Sequence, residues 1–160
     1  MLTLGIDPGT ATTGFGLITE KNRKLAFLDH GVISTSRKDS SQDRLKVIYQ
    51  GIKGLLAQYK PKVVSVEKIF FGKNTKTAIA VGQARGIVLL TAAEMGVPVA
   101  EYTPLQVKLA ITGYGKADKK QVQAMVKILL ELPFVPKPDD AADALAIAIC
   151  HLHSYKMAGL

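Results

Sequence analysis

Leu2-Thr3-Leu4-Gly5-Ile6-Asp7-Pro8-Gly9 is the stretch on which the reading of the fold turns. Apolar residues alternate with small or polar ones up to an acid, and Pro8-Gly9 then turns the chain, which is the pattern of a strand entering a hairpin. Residues 12–20 form a second such run, with glycines at 14 and 16, and residues 24–34 a weaker third through Leu25, Phe27 and Ile33. Three antiparallel strands are predicted, with Asp7 at the mouth of the first hairpin. Helix and strand patterns alternate from there. Ser40-x-x-Asp43 opens a helix carried by Leu45, Ile48, Ile52, Leu55 and Tyr59 as far as Lys60-Pro61. Val63-Val64-Ser65-Val66 is short and β-branched, as a strand covered on both faces is, and Glu67 ends it.

The second half continues in the same way. Residues 75–95 form a long helix, and Gly96-Val97-Pro98-Val99 a fifth strand that runs into Glu101-Tyr102. Thr103 and Pro104 suit the cap and first turn of a short helix closed by Gly113. Asp118 caps a further helix reaching residue 132, and the last helix covers about 140–153. The expected fold is α/β: a five-stranded mixed sheet, three antiparallel strands followed by parallel additions, with helices on both faces.

The 160 residues, 48% hydrophobic and 21% charged, have ordinary globular composition and point to one domain over 1–160, its last few residues a flexible tail. Twenty-one Lys and Arg against 13 Asp and Glu leave a net charge of +8, a balance that favours polyanionic partners. The single cysteine, Cys150, forms no internal disulfide, and the N-terminal residues lack a basic and apolar leader pattern. A cytoplasmic location is expected. The longest nearly apolar run, 78–93, is interrupted by Gln83 and Arg85, so no membrane span is expected.

The acids at the element ends form a pattern. Asp7 and Glu67 end strands, and Asp140 and Asp143 share one face at the start of a helix whose continuation, Ala144-Leu145-Ala146-Ile147-Ala148-Ile149, is apolar nearly all round. Helix capping accounts for Asp139 or Asp140. It does not account for Asp143, which lies deeper. Carboxylates gathered within about 4–6 Å repel one another unless a cation neutralises them. Oxygen ligands of this kind suit Mg²⁺, with Mn²⁺ a substitute, and not zinc. Two such ions per site, about 3.5–4 Å apart, would suit phosphodiester hydrolysis.

With Gly-Ile-Asp-Pro-Gly at 5–9, Val-Glu-Lys-Ile-Phe at 66–70, Gly-Gln-Ala-Arg-Gly at 82–86 and Asp-Ala-Ala-Asp-Ala-Leu-Ala-Ile-Ala at 140–148, the chain closely resembles the RuvC family of Holliday-junction resolvases over nearly its whole length. The resemblance implies a ribonuclease H-like fold and a metal-dependent crossover junction endodeoxyribonuclease acting in DNA recombination and repair. It also implies that Asp7, Glu67, Asp140 and Asp143 are the catalytic metal-binding acids. Asp139 is a neighbouring carboxylate that also shares a helical face with Asp143, and Asp140 is preferred to it. Lys108 and Lys119 match family lysines implicated in catalysis, where they would meet the scissile phosphate. Phe70 matches a residue that inserts at the branch point; Phe71 has no assigned role. A branch-migration motor and its junction-binding clamp are the implied protein partners.

Basic residues crowd the stretch from 44 to 76, in which Glu67 is the only acid. Lys46, Lys53 and Lys60 read as a solvated helix face, whereas Lys68, Lys73 and Lys76 flank the catalytic edge and read as DNA contacts. Helix 75–95 carries a small-residue face at Ala78, Gly82 and Gly86, and its apolar residues spread over more of its circumference than one sheet contact hides. A homodimer is therefore expected, with two symmetry-related active sites for the two strands to be cut. Cys150, His151 and His153 make an incomplete metal set and read as a buried thiol and surface imidazoles. Neither Gly72-Lys73-Asn74-Thr75 nor Gly113-x-Gly115-Lys116 makes a phosphate loop. Two rival readings are a junction-binding module without nuclease activity and an actin-like or sugar-kinase-type ATPase, which needs two such domains around its nucleotide.

Overall fold

The structure is a computed structural model that describes residues 1–68 and 75–157. Its sheet is made of β1 (Leu2–Asp7), β2 (Thr12–Lys21), β3 (Lys24–Ser34), β4 (Val63–Glu67) and β5 (Val99–Tyr102), in the order β3-β2-β1-β4-β5. β1, β2 and β3 are antiparallel neighbours, while β4 and β5 join in parallel. This is the predicted mixed sheet. The parallel additions follow from the helices between them, since α1 (Ser41–Tyr59) carries the chain from β3 to β4 and α2 (Thr75–Glu94) from β4 to β5.

Strand alternation sends side chains into two cores. Leu4, Ile6, Leu17, Val64 and Val66 pack with α1 and α2 on one face, where Ile48, Ile52, Ala84 and Val88 are fully buried. The other face is covered by α5 (Asp139–Met157), flanked by α3 (Pro104–Thr112) and α4 (Lys119–Leu129). Leu145, Ile147, Ile149 and Leu152 of α5 are completely buried, each worth about 1.5–3 kcal/mol of apolar transfer.

Helix starts fall where capping chemistry puts them. The Thr103 side chain accepts from Gln106 N at 3.0 Å with Pro104 in the first turn, and Asp118 accepts from Gln121 N at 2.8 Å. Helix ends depart more from expectation. β5 begins at Val99 because Gly96, at φ 71°, closes α2 while Val97 N donates to Ala92 O at 2.9 Å. α4 ends at Leu129, since Glu131 turns left-handed at φ 54° and Leu132 N returns to Lys127 O. α5 runs on to Met157, past the expected end at residue 153, because no glycine or proline interrupts it before Gly159.

α5 lies unusually close to the sheet, and the sequence makes room for it. A Cβ at Gly5 would come 2.0 Å from the Ala144 carbonyl oxygen, one at Gly14 2.0 Å from the Asp140 carbonyl oxygen, and one at Gly16 2.7 Å from Leu145. Three glycines on one sheet face thus form a seat for the helix backbone. Ser65 Oγ adds a buried hydrogen bond to the Ile147 carbonyl at 2.9 Å. The seat fixes where the first turn of α5 stands over the ends of β1 and β4.

Candidate active site

Asp7 is the last residue of β1 and Glu67 the last of β4. Ile6 pairs with Val66 in parallel register, so the next residues, Asp7 and Glu67, leave the sheet side by side on the α5 face. The glycine seat brings the first turns of α5 above them. Carboxylate oxygens of Asp7, Asp140 and Asp143 lie within 4.8 Å of one another. Glu67 stands beside this trio instead of inside it. It lines a cleft of about 260 Å³ together with Asp143, Lys108 and Lys119, over a floor that includes Val107, Val122 and Ile147.

The electrostatics follow from crowding acids in a half-buried place. Burial, then Asp143, Asp140 and Glu67, push the Asp7 carboxyl up to about 8, with Lys119 opposing. Burial and then Asp143 raise Glu67, while Lys108 lowers it. Asp143 is raised by burial against the pull of Lys119. These three acids, with Asp140 beside them, are short of positive charge, and the shortage is strongest at Asp7, where the oxygens converge. An all-oxygen donor set with a charge deficit fits a hard divalent cation, so Asp7, Asp140 and Asp143 could hold one, with Glu67 adjacent.

The two lysines carried over by resemblance both reach the cleft. Lys119 Nζ lies 3.4 Å from Asp143 Oδ2 and 3.6 Å from Asp139 Oδ2. Asp139 itself faces Gln123, Lys119 and Lys137 and does not join the trio, which leaves Asp140 as the converging acid of the pair. Lys68 and Lys76 are exposed, as are Lys46, Lys53 and Lys60. Phe70, Phe71 and Lys73 lie outside the described residues.

The structure adds features beyond the acids and lysines. The glycine seat has a visible sequence signal: Gly14 and Gly16 leave one strand face bare, and Ala141, Ala144 and Ala148 supply a small helix face to meet it. Gln123, which donates to Asp139, carries no local signal at all. The imidazoles differ from their expected surface placement. His151 is buried, bonded through Nδ1 to the Tyr102 hydroxyl at 2.8 Å and stacked on Tyr155, while His153 Nδ1 lies 3.0 Å from the Ala110 carbonyl. Cys150 is buried as expected, and burial pushes its thiol up to about 11.

α2 also shows which side of it is free. Ala84, Val88 and Ala92 face the core, whereas Ile79 and Leu90 are 63% and 56% exposed, and a Cβ at Gly86 would meet nothing within 4 Å. Among the described residues, no helix is long and apolar enough to cross a membrane.

The chain matches the family model for crossover junction endodeoxyribonuclease RuvC over residues 3–151. It is 56% identical over 157 residues to a crossover junction endodeoxyribonuclease RuvC from Syntrophomonas wolfei subsp. wolfei, covering 98% of this chain and 91% of that one. It is 53% identical over 155 residues to the protein of the same description from Roseiflexus sp., covering 97% and 92%. Among solved structures it resembles Thermus thermophilus RuvC in complex with Holliday junction substrate, at a TM-score of 0.94 and 39% identity over 99% of this chain and 96% of that one. The five-stranded order, with α5 laid across it, is accordingly a ribonuclease H-like fold. A sheet whose ends gather acids, and sequence likeness running through nearly every element that carries them, lead to one conclusion: the chain belongs to the RuvC family of crossover junction endodeoxyribonucleases.

Proposed function

We propose that this chain resolves four-way DNA junctions by paired, symmetric, metal-dependent hydrolysis of phosphodiester bonds, in recombination and repair. The observation that carries the reading is the convergence of Asp7, Asp140 and Asp143 oxygens within 4.8 Å at a cleft that also holds Glu67, Lys108 and Lys119. A binding module without nuclease activity has no use for so costly an acid cluster.

Asp7, Asp140 and Asp143 would hold Mg²⁺, or Mn²⁺ in its place, and Glu67 would add a carboxylate for a second ion. Such ions would supply activation of water and stabilisation of the departing oxygen. The chain's own groups do the remaining work. Lys108 and Lys119 face the scissile phosphate and offset its growing negative charge. Lys68, Lys73 and Lys76 neutralise flanking phosphates, and the net charge of +8 draws the junction in. Phe70 enters the branch point, where an aromatic ring replaces lost base stacking.

Two cuts at matched positions need two sites related by a two-fold axis, so the working form is a homodimer. The exposed apolar side of α2, with Ile79, Gly86 and Leu90, is the surface that supports this reading. A branch-migration motor and a junction-binding clamp deliver the substrate in the cytoplasm.

A synthetic four-way junction with Mg²⁺ tests the proposal. Paired nicks near the crossover are expected, and Asp7→Asn should lower the cutting rate by about a hundredfold or more, since it removes a ligand carboxylate. Junction binding should survive that substitution. Cutting by Asp7→Asn at the unaltered rate would refute the site, and binding without incision by the unsubstituted protein would favour the module.

A further inference from the structure

Asp139 is set apart from its neighbours by its partners. It is not one of the three acids whose oxygens converge. Yet Gln123 Nε2 donates to its Oδ1 at 3.2 Å, Lys137 Nζ lies 3.8 Å from Oδ1, and Lys119 Nζ lies 3.6 Å from Oδ2. The same Lys119 ammonium lies 3.4 Å from Asp143 Oδ2. One lysine therefore bridges an acid inside the trio and an acid outside it.

The bridge is built from two helix starts. Lys119 is the first residue of α4 and Gln123 sits one turn later on the same face, so both reach across to Asp139 at the start of α5. Gln123 is only 8% exposed, which fixes its amide and, through it, the Asp139 carboxylate.

We propose that Asp139 is a positioning residue for Lys119: it retains the ammonium at the mouth of the acid cluster when Asp143 is given over to a divalent cation. The inference rests on the reading of the trio as a cation site and of Lys119 as a phosphate-facing group. With a cation among Asp7, Asp140 and Asp143, the charge of Asp143 would be taken up and the ammonium beside it would be repelled. A lysine with no other anchor would then spread over its many rotamers in solvent. Asp139 lies outside the trio and is held by Gln123 and Lys137, so it keeps Lys119 beside the reacting phosphate. Before the cation arrives, the same pair of acids lets Lys119 offset part of the charge deficit.

The test is a double-mutant cycle of Asp139→Asn with Lys119→Met in the full chain. Asparagine keeps an oxygen for the Gln123 amide and starts a helix well, so it removes charge with little loss of structure. Single-turnover cleavage of a synthetic junction at saturating Mg²⁺ should slow by about three- to fivefold in Asp139→Asn, the range an exposed ion pair supports. Junction affinity should hold within about twofold, because no phosphate contact is lost. Asp139→Glu should recover most of the rate. In Lys119→Met, itself slower than the unsubstituted protein, adding Asp139→Asn should change nothing further. Calorimetry with Mn²⁺ and protein alone gives a second readout: Asp139→Asn should weaken Mn²⁺ binding more when Lys119 is present than when it is Met. Equal effects of Asp139→Asn in both backgrounds would overturn the positioning role. Unimpaired cleavage by Lys119→Met would instead overturn the reading of Lys119 on which the inference stands.

Discussion

At Asp7 the sequence position and the surrounding charges combine to give a sign that can be measured. Its carboxyl, pushed up to about 8 by burial and by Asp143, Asp140 and Glu67, titrates near 3.9 in an unfolded chain. Between those values the folded protein holds a proton that the unfolded chain has released, so the metal-free protein loses stability as pH rises from about 4 toward about 8. In EDTA the melting temperature should therefore fall across that window. Asp7→Asn, which has no carboxyl to ionise, should lack most of the decline. Mg²⁺ at pH 8 and a hundredfold excess over its Kd should raise the melting temperature by on the order of 5 °C in the unsubstituted protein and much less in Asp7→Asn. A melting temperature that climbs with pH in EDTA would contradict the crowding of acids around Asp7. The acids themselves were readable in the chain because three-residue spacing on an apolar helix leaves Asp143 with no ordinary capping role. Asp139 and Asp140 were harder to separate, since both can share a face with Asp143, and only the arrival of α4 from elsewhere in the chain draws Asp139 aside.

The elements were legible wherever local chemistry sets them. Thr103, Pro104, Gly113 and Asp118 mark helix ends by capping alone and fall where expected. The exit of α2 through Gly96 and the left-handed Glu131 involve single backbone choices that periodicity does not register. The seat under α5 is a third kind of case: the bare strand face at Gly14 and Gly16 and the small helix face at Ala141, Ala144 and Ala148 are visible in the sequence, but that the two meet appears only when the helix backbone lies against the sheet. That contact joins stability to the site. Gly14→Ala would drive a Cβ to 2.0 Å from the carbonyl oxygen of Asp140, an atom of backbone that cannot rotate away. The expected cost is about 1–3 kcal/mol, that of overpacking a close contact, measured by denaturant unfolding. Because the helix must lift at the residue that carries a converging carboxylate, Mn²⁺ affinity should fall as well. Gly54→Ala, where a Cβ meets nothing within 4 Å, is the control and should stabilise α1 by about 0.5–1 kcal/mol. Equal effects of the two substitutions would mean that α5 is not seated by the glycines.

The far side of α2 governs how one copy of the protein would meet another. The small-residue face at Ala78, Gly82 and Gly86 was ambiguous in the sequence, because packing on the chain's own sheet or on a second copy needs the same residue types. The fold removes one option, since Ala84, Val88 and Ala92 take the inward positions and leave Gly86 and Leu90 exposed. An apolar helix side with this exposure suits an apolar partner, and on a protein carrying a net charge of +8 that contact would have to overcome like-charge repulsion. A second α2, crossing where Gly86 permits close approach, is the partner the proposed homodimer would supply, in the two-fold arrangement that paired cutting demands. Leu90→Glu sets one acid on each copy against the same surface. It should shift sedimentation from dimer to monomer at micromolar concentration while leaving the melting temperature of the monomer within about 3 °C, because Leu90 is 56% exposed and touches little of its own core. The monomer retains a complete acid cluster, so it should still nick one strand of a junction but lose the coordinated second cut. A Leu90→Glu protein that stays dimeric and pairs its cuts normally would move the interface to another face of the molecule.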